Sequence, residues 1–351
     1  MTSNQPIIVA SRGSALALAQ ANAVLAQCRA AFPALEFELK IIKTTGDKLQ
    51  TASLANPAAS LPKGLFTKEL EVALLQNQAD IAVHSLKDLP TELPDGLTLG
   101  AVGKRADVRE ILVYRDAKYL EREKAKVNVV ARPPGGKERR GFTPHLKVTG
   151  LPAGATVATS STRRKAHLLA MRKDLHIVEI RGNVATRLQK LAEQPELDAT
   201  ILAAAGLQRL AFEIHADGRL LGPAAPDGLL ATTLEPSVIL PCVGQGALGI
   251  ETRRDDARIA PICERLNDYD TQQCVTAERA FLRAMGGGCQ SPVAAYAEIE
   301  NGKIHLRAAF FTDVEVRRAE GKAPITEAAV LGEKLAAEIK SADATPGSSS
   351  S

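Results

Sequence analysis

Four times along this chain a short apolar run ends in a polar, arginine-bearing turn and continues as a helix, and no other feature restricts the fold as much. Residues 6–10 lead into Ser11-Arg12-Gly13-Ser14 and an Ala- and Leu-rich helix over residues 15–31, with Ser14 placed as its N-cap. Residues 155–158 lead into Thr159-Ser160-Ser161-Thr162-Arg163-Arg164, and residues 176–180 into Arg181-Gly182-Asn183-Val184 with Arg187 beyond. Residues 199–204 lead into a short helix holding Arg209. This alternation predicts largely parallel α/β sheets covered by helices on both faces. In such sheets ligands meet the C-terminal ends of the strands, where the free N–H groups opening each helix suit an anion.

Each turn has a bland reading beside the functional one. Arg12 reads equally as a forked donor for a carboxylate or phosphate and as a solvent-facing arginine beside an ordinary capped helix. Arg163, Arg164 and Lys165 put three cations into a first helical turn, where the helix dipole favours acids. An anionic ligand docked at that N-terminus explains them; a solvated basic face does not explain why the charge sits at the wrong end. Lys87-Asp88, after the apolar strand of residues 81–83 and just before Pro90, is either a solvated ion pair or a site group. A carboxylate there can stabilise a developing cation or move a proton.

The stretch Gly286-Gly287-Gly288-Cys289-Gln290-Ser291-Pro292 adds a thiol. Three glycines let a large group come close to the backbone, so Cys289 reads as a presented sulfur carrying something covalently; the alternative is a packed small hydrophobe. The glycines flanking Gln245 likewise allow close approach by a ligand or a neighbouring segment.

Composition excludes more than it assigns. The five cysteines are widely spaced with no CxxC pair, against both a disulfide framework and a zinc site, and a reducing cytoplasm fits them best. No metal is expected. The N-terminal residues do not read as a signal peptide, and no apolar run reaches the roughly 18 residues of a membrane span. The net charge of +4 has a local origin, because residues 121–147 hold eight Lys/Arg against three acids and the remainder is close to neutral. With no Trp and 3% aromatic residues, base-stacking platforms are scarce, so nucleic acid is not an expected partner. Residues 119–147 read as a mobile surface insertion with helical tendency over 121–126, and residues 44–62 as a long loop before a helix running to about residue 76. Residues 293–299, 303–311 and 314–319 read as a small antiparallel sheet, followed by a helix over 326–339.

A presented thiol, a strand-end carboxylate and many arginines suit a covalent tether holding a ligand with several carboxylates, since each guanidinium fork pairs with one of them. Here the chain resembles the porphobilinogen deaminase family from residue 8 to about residue 311. The resemblance rests on Ser11-Arg12-Gly13-Ser14-Ala15-Leu16-Ala17, Lys63-Gly64-Leu65-Phe66-Thr67-Lys68-Glu69-Leu70-Glu71 and Asp80-Ile81-Ala82-Val83-His84-Ser85-Leu86-Lys87-Asp88. Thr159-Ser160-Ser161, Arg181-Gly182-Asn183-Val184, Val243-Gly244-Gln245-Gly246 and Gly287-Gly288-Cys289 complete the set.

The resemblance implies two periplasmic-binding-protein-like α/β domains around a cleft, plus a small α+β C-terminal domain with a three-stranded antiparallel sheet. Their expected bounds are residues 1–106 with 241–266, residues 107–240, and residues 267–343, before a disordered tail at 344–351. It implies a dipyrromethane cofactor on Cys289 through a thioether, and porphobilinogen as substrate. Four units would be deaminated and joined head to tail, then released as hydroxymethylbilane for tetrapyrrole biosynthesis. By matching position, Asp88 is implied as the catalytic carboxylate. Lys87, Ser161, Arg163, Arg164 and Gln245 are implied for the cofactor, and Arg12, Ser14, Arg181, Arg187 and Arg209 for substrate. Lys63 is implied for a lid, and the protein is expected to be a cytoplasmic monomer. The chain departs from the family pattern at Leu61-Pro62, at Asp107-Val108-Arg109-Glu110, at Thr162 and in the basic insertion, to which no role is assigned. The rival reading is a two-lobed anion-binding receptor without catalysis.

Overall fold

The computed structural model describes residues 5–46, 66–126, 138–287, 291–312 and 315–341. The chain divides into two compact units, Met1–Ala106 with Pro241–Ser351, and Asp107–Leu240. The first unit opens with β1 (Ile7–Arg12), α1 (Ala15–Ala31), β2 (Phe37–Ile42), α2 (Lys68–Leu75), β3 (Ile81–Ser85) and β4 (Leu97–Val102). The second unit contains β5 (Glu110–Arg115), α3 (Ala117–Lys126), β6 (Thr156–Ala158), α4 (Thr162–Met171), β7 (His176–Val178) and α5 (Val184–Glu193). It continues through β8 (Ala199–Ala203), α6 (Ala204–Arg209), the short β9 (Glu213–Ile214) and β10 (Leu220–Leu221), and β11 (Leu229–Leu234). The chain then returns to the first unit as β12 (Leu248–Arg253), α7 (Ala260–Leu266), α8 (Tyr269–Ala284), β13 (Val293–Glu300), β14 (Lys303–Phe311), β15 (Val316–Pro324) and α9 (Ala328–Ser341).

The main sheet of the first unit has the order β2-β1-β3-β12-β4. Strands β1, β2 and β3 run parallel, while β12 is antiparallel to both β3 and β4. Both faces are covered. Ile7, Val9, Ile81 and Val83 pack with α1 and α7 on one side, and Ala10 and Ala82 with Leu70, Ala73 and Leu74 of α2 on the other. Burial on both faces is why β1 and β3 read as continuous apolar runs instead of alternating ones. Helix α1 begins where Ser14 caps it and buries Gln20, Ala21, Val24, Leu25 and Cys28, one stripe at helical spacing.

The second unit repeats the plan in the order β11-β5-β8-β6-β7, with β8, β6 and β7 parallel and β5 antiparallel to β8. Along β5, Ile111 and Val113 face the core under α5, and Leu112 and Tyr114 the core under α4. A third core lies under the antiparallel sheet β13-β14-β15, where Phe281 of α8 and Leu331 and Leu335 of α9 pack on Leu306 and Ala308. Asn301 and Gly302 join β13 to β14, both at positive φ (50° and 72°), as a tight hairpin turn of this twist requires. The α/β architecture of two five-stranded sheets and a three-stranded antiparallel sheet is thus the expected one, but the expectation of largely parallel sheets is corrected: β12, β5 and β11 pair antiparallel, so half of the pairings in each five-stranded sheet are antiparallel.

The basic insertion differs from expectation. Residues 127–137 lie outside the described residues, but the flanks are ordered into the second unit. Helix α3 buries Leu120, and the Phe142 N–H donates to Arg115 O at 2.8 Å. The Phe142 ring meets Tyr114 edge-on at 6.0 Å between centroids. A count of charges over residues 121–147 gives no sign of these apolar anchors. Most of the expected long loop, together with Lys63, Leu61 and Pro62, falls on residues 47–65, outside the described ones. Among the described residues no helix is long and apolar enough to cross a membrane.

Candidate active site

In the first unit the site residues gather where two parallel strands end side by side. β1 and β3 are in register at Val9–Ile81 and Ala10–Ala82, so the turns that follow them emerge from the same edge of the sheet. After β1, the Ser14 hydroxyl accepts from Ala17 N–H at 3.3 Å and caps α1, whose first turn holds no acid to offset its positive end. The Arg12 guanidinium lies 4.2 Å from the centre of the Phe66 ring. After β3, a single turn of 3₁₀ helix, Leu86–Asp88, carries Lys87 half-buried and Asp88 exposed. Buried Leu86 anchors this turn, and Gln20 of α1 exchanges two hydrogen bonds with Ser85 (2.8 and 3.0 Å) just before it. No described residue forms a hydrogen bond or ion pair with the Asp88 carboxylate. It is an anion held on a well-anchored turn with its lone pairs open to a donor.

The loop around Gln245 braces that turn. Gly244 and Gly246 both have positive φ (72° and 84°). A Cβ on Gly244 would come within 3.2 Å of Lys87 N, and one on Gly246 within 2.5 Å of Ala106 O, so the close approach that these glycines permit is made by neighbouring backbone. Gln245 is buried, with its amide oxygen accepting from Cys242 Sγ at 3.2 Å and its carbonyl from Arg105 Nε at 2.9 Å. Beneath it is a group that reading the sequence missed. Glu278 of α8 is fully buried and accepts from Arg105 (2.6 and 3.1 Å), Gly244 N–H (2.7 Å) and Ala297 N–H (2.8 Å). The signal was present: Glu278 sits on the buried stripe that also holds Cys274, Ala277 and Phe281. Helix α8 leads toward the triple glycine, and Cys289 itself lies outside the described residues.

In the second unit the turns after β6, β7 and β8 likewise share one edge, since these three strands are parallel neighbours. Ser161 caps α4, accepting from Arg164 N–H at 3.4 Å. Arg163 and Arg164 are only 4% and 7% exposed, which removes the solvated-face reading. It also corrects the inference that a ligand alone could explain their position, because Glu110 does so from within. β5 is antiparallel to β8, so its first residue, Glu110, pairs with Ala203 at the edge where the parallel strands end. Its carboxylate meets Arg163 Nη2 and, at 2.7 Å, Arg164 Nη2. The guanidinium groups also donate to Leu240 O (2.6 Å) and Ile201 O (2.9 Å). Burial pushes the Glu110 carboxyl up, but the charges and hydrogen bonds of the two arginines outweigh it and hold the group down at about 2. Two arginines thus share one buried carboxylate at the capped start of α4.

Arg181, exposed after β7, pairs with Glu179 at 3.1 Å; Arg187 in α5 donates from Nε to Gly182 O at 2.8 Å, across a glycine at φ 112°. Arg209 ends α6 half-buried, and burial lowers its pKa. Arg109, within the stretch that departs from the family pattern, pairs with Asp107 (2.7 Å) and Glu235 (3.0 Å). The structure therefore brings together Arg12, Ser14, Lys87 and Asp88 in one unit, and Ser161, Arg163, Arg164 and Arg181 at one sheet edge of the other, with Arg187 and Arg209 in helices that follow it. On the third sheet Glu298, Glu300 and His305 approach closely enough to share a cation, but Arg307 and Lys322 already answer the two carboxylates.

Two family models match the chain. One, described as porphobilinogen deaminase, dipyromethane cofactor binding domain, matches residues 7–261. The other, porphobilinogen deaminase, C-terminal domain, matches residues 272–341. Among similar relatives is a porphobilinogen deaminase of Chloroherpeton thalassium, 39% identical over 345 residues that make up 96% of this chain and 95% of that one. Another, of Desulforudis audaxviator, is 41% identical over 335 residues, 95% and 94% of the two chains. Of solved structures, the BenM effector binding domain with benzoate is similar at 15% identity and a TM-score of 0.37, over 74% of this chain and 90% of that one. So slight a likeness bears on neither ligand nor mechanism.

Proposed function

We infer the reaction of this chain from the porphobilinogen deaminase family, to which it belongs. It is a transferase that deaminates porphobilinogen, joins four units head to tail on a dipyrromethane cofactor and releases hydroxymethylbilane for tetrapyrrole biosynthesis. When bound, the cofactor would supply a primer with a nucleophilic terminal pyrrole carbon. The donor set suits such a group, because each pyrrole carries an acetate and a propionate, and the described site residues are rich in guanidinium, ammonium and capped helix starts.

The division of labour we assign is as follows. Cys289 holds the primer through a thioether. Lys87, Ser161, Arg163, Arg164 and Gln245 are assigned to the cofactor. Arg12, Ser14, Arg181, Arg187 and Arg209 hold carboxylates of the substrate and growing chain, while Lys63 belongs to a covering segment. Asp88 accepts the pyrrole N–H and stabilises the cation left when the protonated aminomethyl group departs as ammonia. The observation that carries this assignment is the Asp88 carboxylate itself, exposed on an anchored turn at a strand end, with no described partner to spend its charge on.

We further propose three domains, residues 1–106 with 241–266, 107–240 and 267–343, a division supported by the separate core of the C-terminal sheet. A cytoplasmic monomer is the accompanying reading; Cys28, Cys242, Cys263 and Cys274 are free thiols, as a reducing compartment keeps them. Light scattering on the eluting peak tests the monomer. The receptor alternative is separated by ammonia: the purified protein is expected to release one ammonia per porphobilinogen consumed, whereas binding without release would favour a receptor.

A further inference from the structure

The C-terminal flank of the basic insertion, unused by the reaction, sits against one end of α5. The last carbonyls of a helix have no partner within it, and here arginines from β5 and the insertion supply them. Arg115, the last residue of β5 and 1% exposed, donates to Leu191 O, to Leu197 O and, at 3.3 Å, to Gln194 O, while its Nε reaches Arg140 O at 2.9 Å. Arg139 donates to Ala192 O at 3.2 Å. Arg140 pairs at 2.6 Å with buried Asp198, which also accepts from Thr156 N–H at 2.7 Å. Three cations thus face the negative end of α5 and the carboxylate that follows it.

The other end of the same helix carries the arginines assigned to the growing chain. Asn183 caps it, accepting from Thr186 N–H at 2.9 Å. Arg187 Nε and Lys190 Nζ reach back to Gly182 O and Arg181 O (2.8 and 3.1 Å), so the turn holding Arg181 is tied to the helix and moves with it.

We propose that Arg115, Arg139 and Arg140 are positioning residues that clamp the C-terminal end of α5 and so place Arg181 and Arg187 against the carboxylates of the substrate chain. The proposal rests on the carboxylate-binding role given above to those two arginines. Five residues separate Arg187 from Ala192, about 7.5 Å along the axis, a distance over which a helix acts as a rigid lever. Freed at its clamped end, the helix misplaces its other end, and small misplacements are costly where carboxylates are held for reaction. The insertion is then a strut under the site.

Arg115→Met would strip several buried carbonyls of their donor and risks unfolding, so the test uses the more accessible pair. In the Arg139→Gln/Arg140→Gln protein, KM for porphobilinogen is expected to rise about tenfold, with kcat within about twofold of the parent and the cofactor fully loaded by intact mass. The Arg139→Lys/Arg140→Lys protein should return KM close to the parent value, which loss of stability alone would not predict. Should the double Gln protein fail to fold, Arg139→Gln alone is expected to raise KM about threefold. An unchanged KM in a folded variant, or a raised KM that lysine does not restore, would overturn the clamp. Arg187→Ala serves as reference: if it too leaves KM unchanged, the carboxylate-binding role fails and the clamp falls with it. If it raises KM while the clamp variants do not, the clamp alone is wrong.

Discussion

Replacing Asp88 by Ala is expected to slow porphobilinogen consumption at least about 100-fold, the loss typical when a preorganised group facing a developing charge is removed, and to leave the fold intact. The two halves of this expectation have separate causes. The carboxylate is exposed and engages no described residue, so its removal breaks no bond among the described residues. Its turn is held by other groups: Leu86 in the core, Ser85 on Gln20, and Gly244 against the backbone of Lys87. Surface changes of this sort usually shift stability by less than about 0.5 kcal/mol. The reaction would instead lose the carboxylate that we assign to the cation created by deamination. Asp88→Asn should behave nearly as badly, because an amide keeps the shape but not the charge. Initial rates beside thermal midpoints check both halves, and near-parental rates in either variant would remove Asp88 from the mechanism.

Replacing Glu110 by Gln has the opposite profile, a large loss of stability. Two guanidinium groups would remain buried with no carboxylate between them, and breaking a buried pair from one side costs about 3–5 kcal/mol. The sign with pH follows from the depressed pKa. Glu110 is held at about 2 in the folded protein, below the ordinary 4.5. Its contribution is therefore complete above about 4.5 and is lost as pH falls from there through 2. Urea unfolding between pH 7 and 3 should show the parent losing stability across the acid end of that range and Glu110→Gln losing less, from a lower starting point. Parallel curves would mean that the carboxylate does not carry the charge balance of this edge.

Much of this was legible in the sequence, and the limits are instructive. Helix α1 begins and ends where expected because its signals are local: a serine cap, then alanines and leucines with one buried stripe. The edges that gather the arginines were also readable, since strand, turn and helix follow one another in the chain. The role of Glu110 was not visible, because its partners lie 53 and 54 residues away and only antiparallel pairing with β8 brings them together. For the same reason the misplaced charge at the start of α4 pointed to a ligand when a carboxylate inside the protein answers most of it. The glycines beside Gln245 were recognised as permitting close approach, but which backbone would approach depends on contacts distant in sequence. The helical tendency of residues 121–126 is borne out by α3, but the flanks of the basic insertion are more firmly held than expected, because charge dominates its composition while Leu120 and Phe142 anchor them.

The central claim, that this chain builds its product on a primer tethered to Cys289, is tested most directly by the intact mass of the purified protein followed by peptide mapping. The account predicts an adduct of two condensed pyrrole units on the peptide containing Cys289, absent from the Cys289→Ser protein. Active protein of unmodified mass, or an adduct that persists in Cys289→Ser, would contradict it.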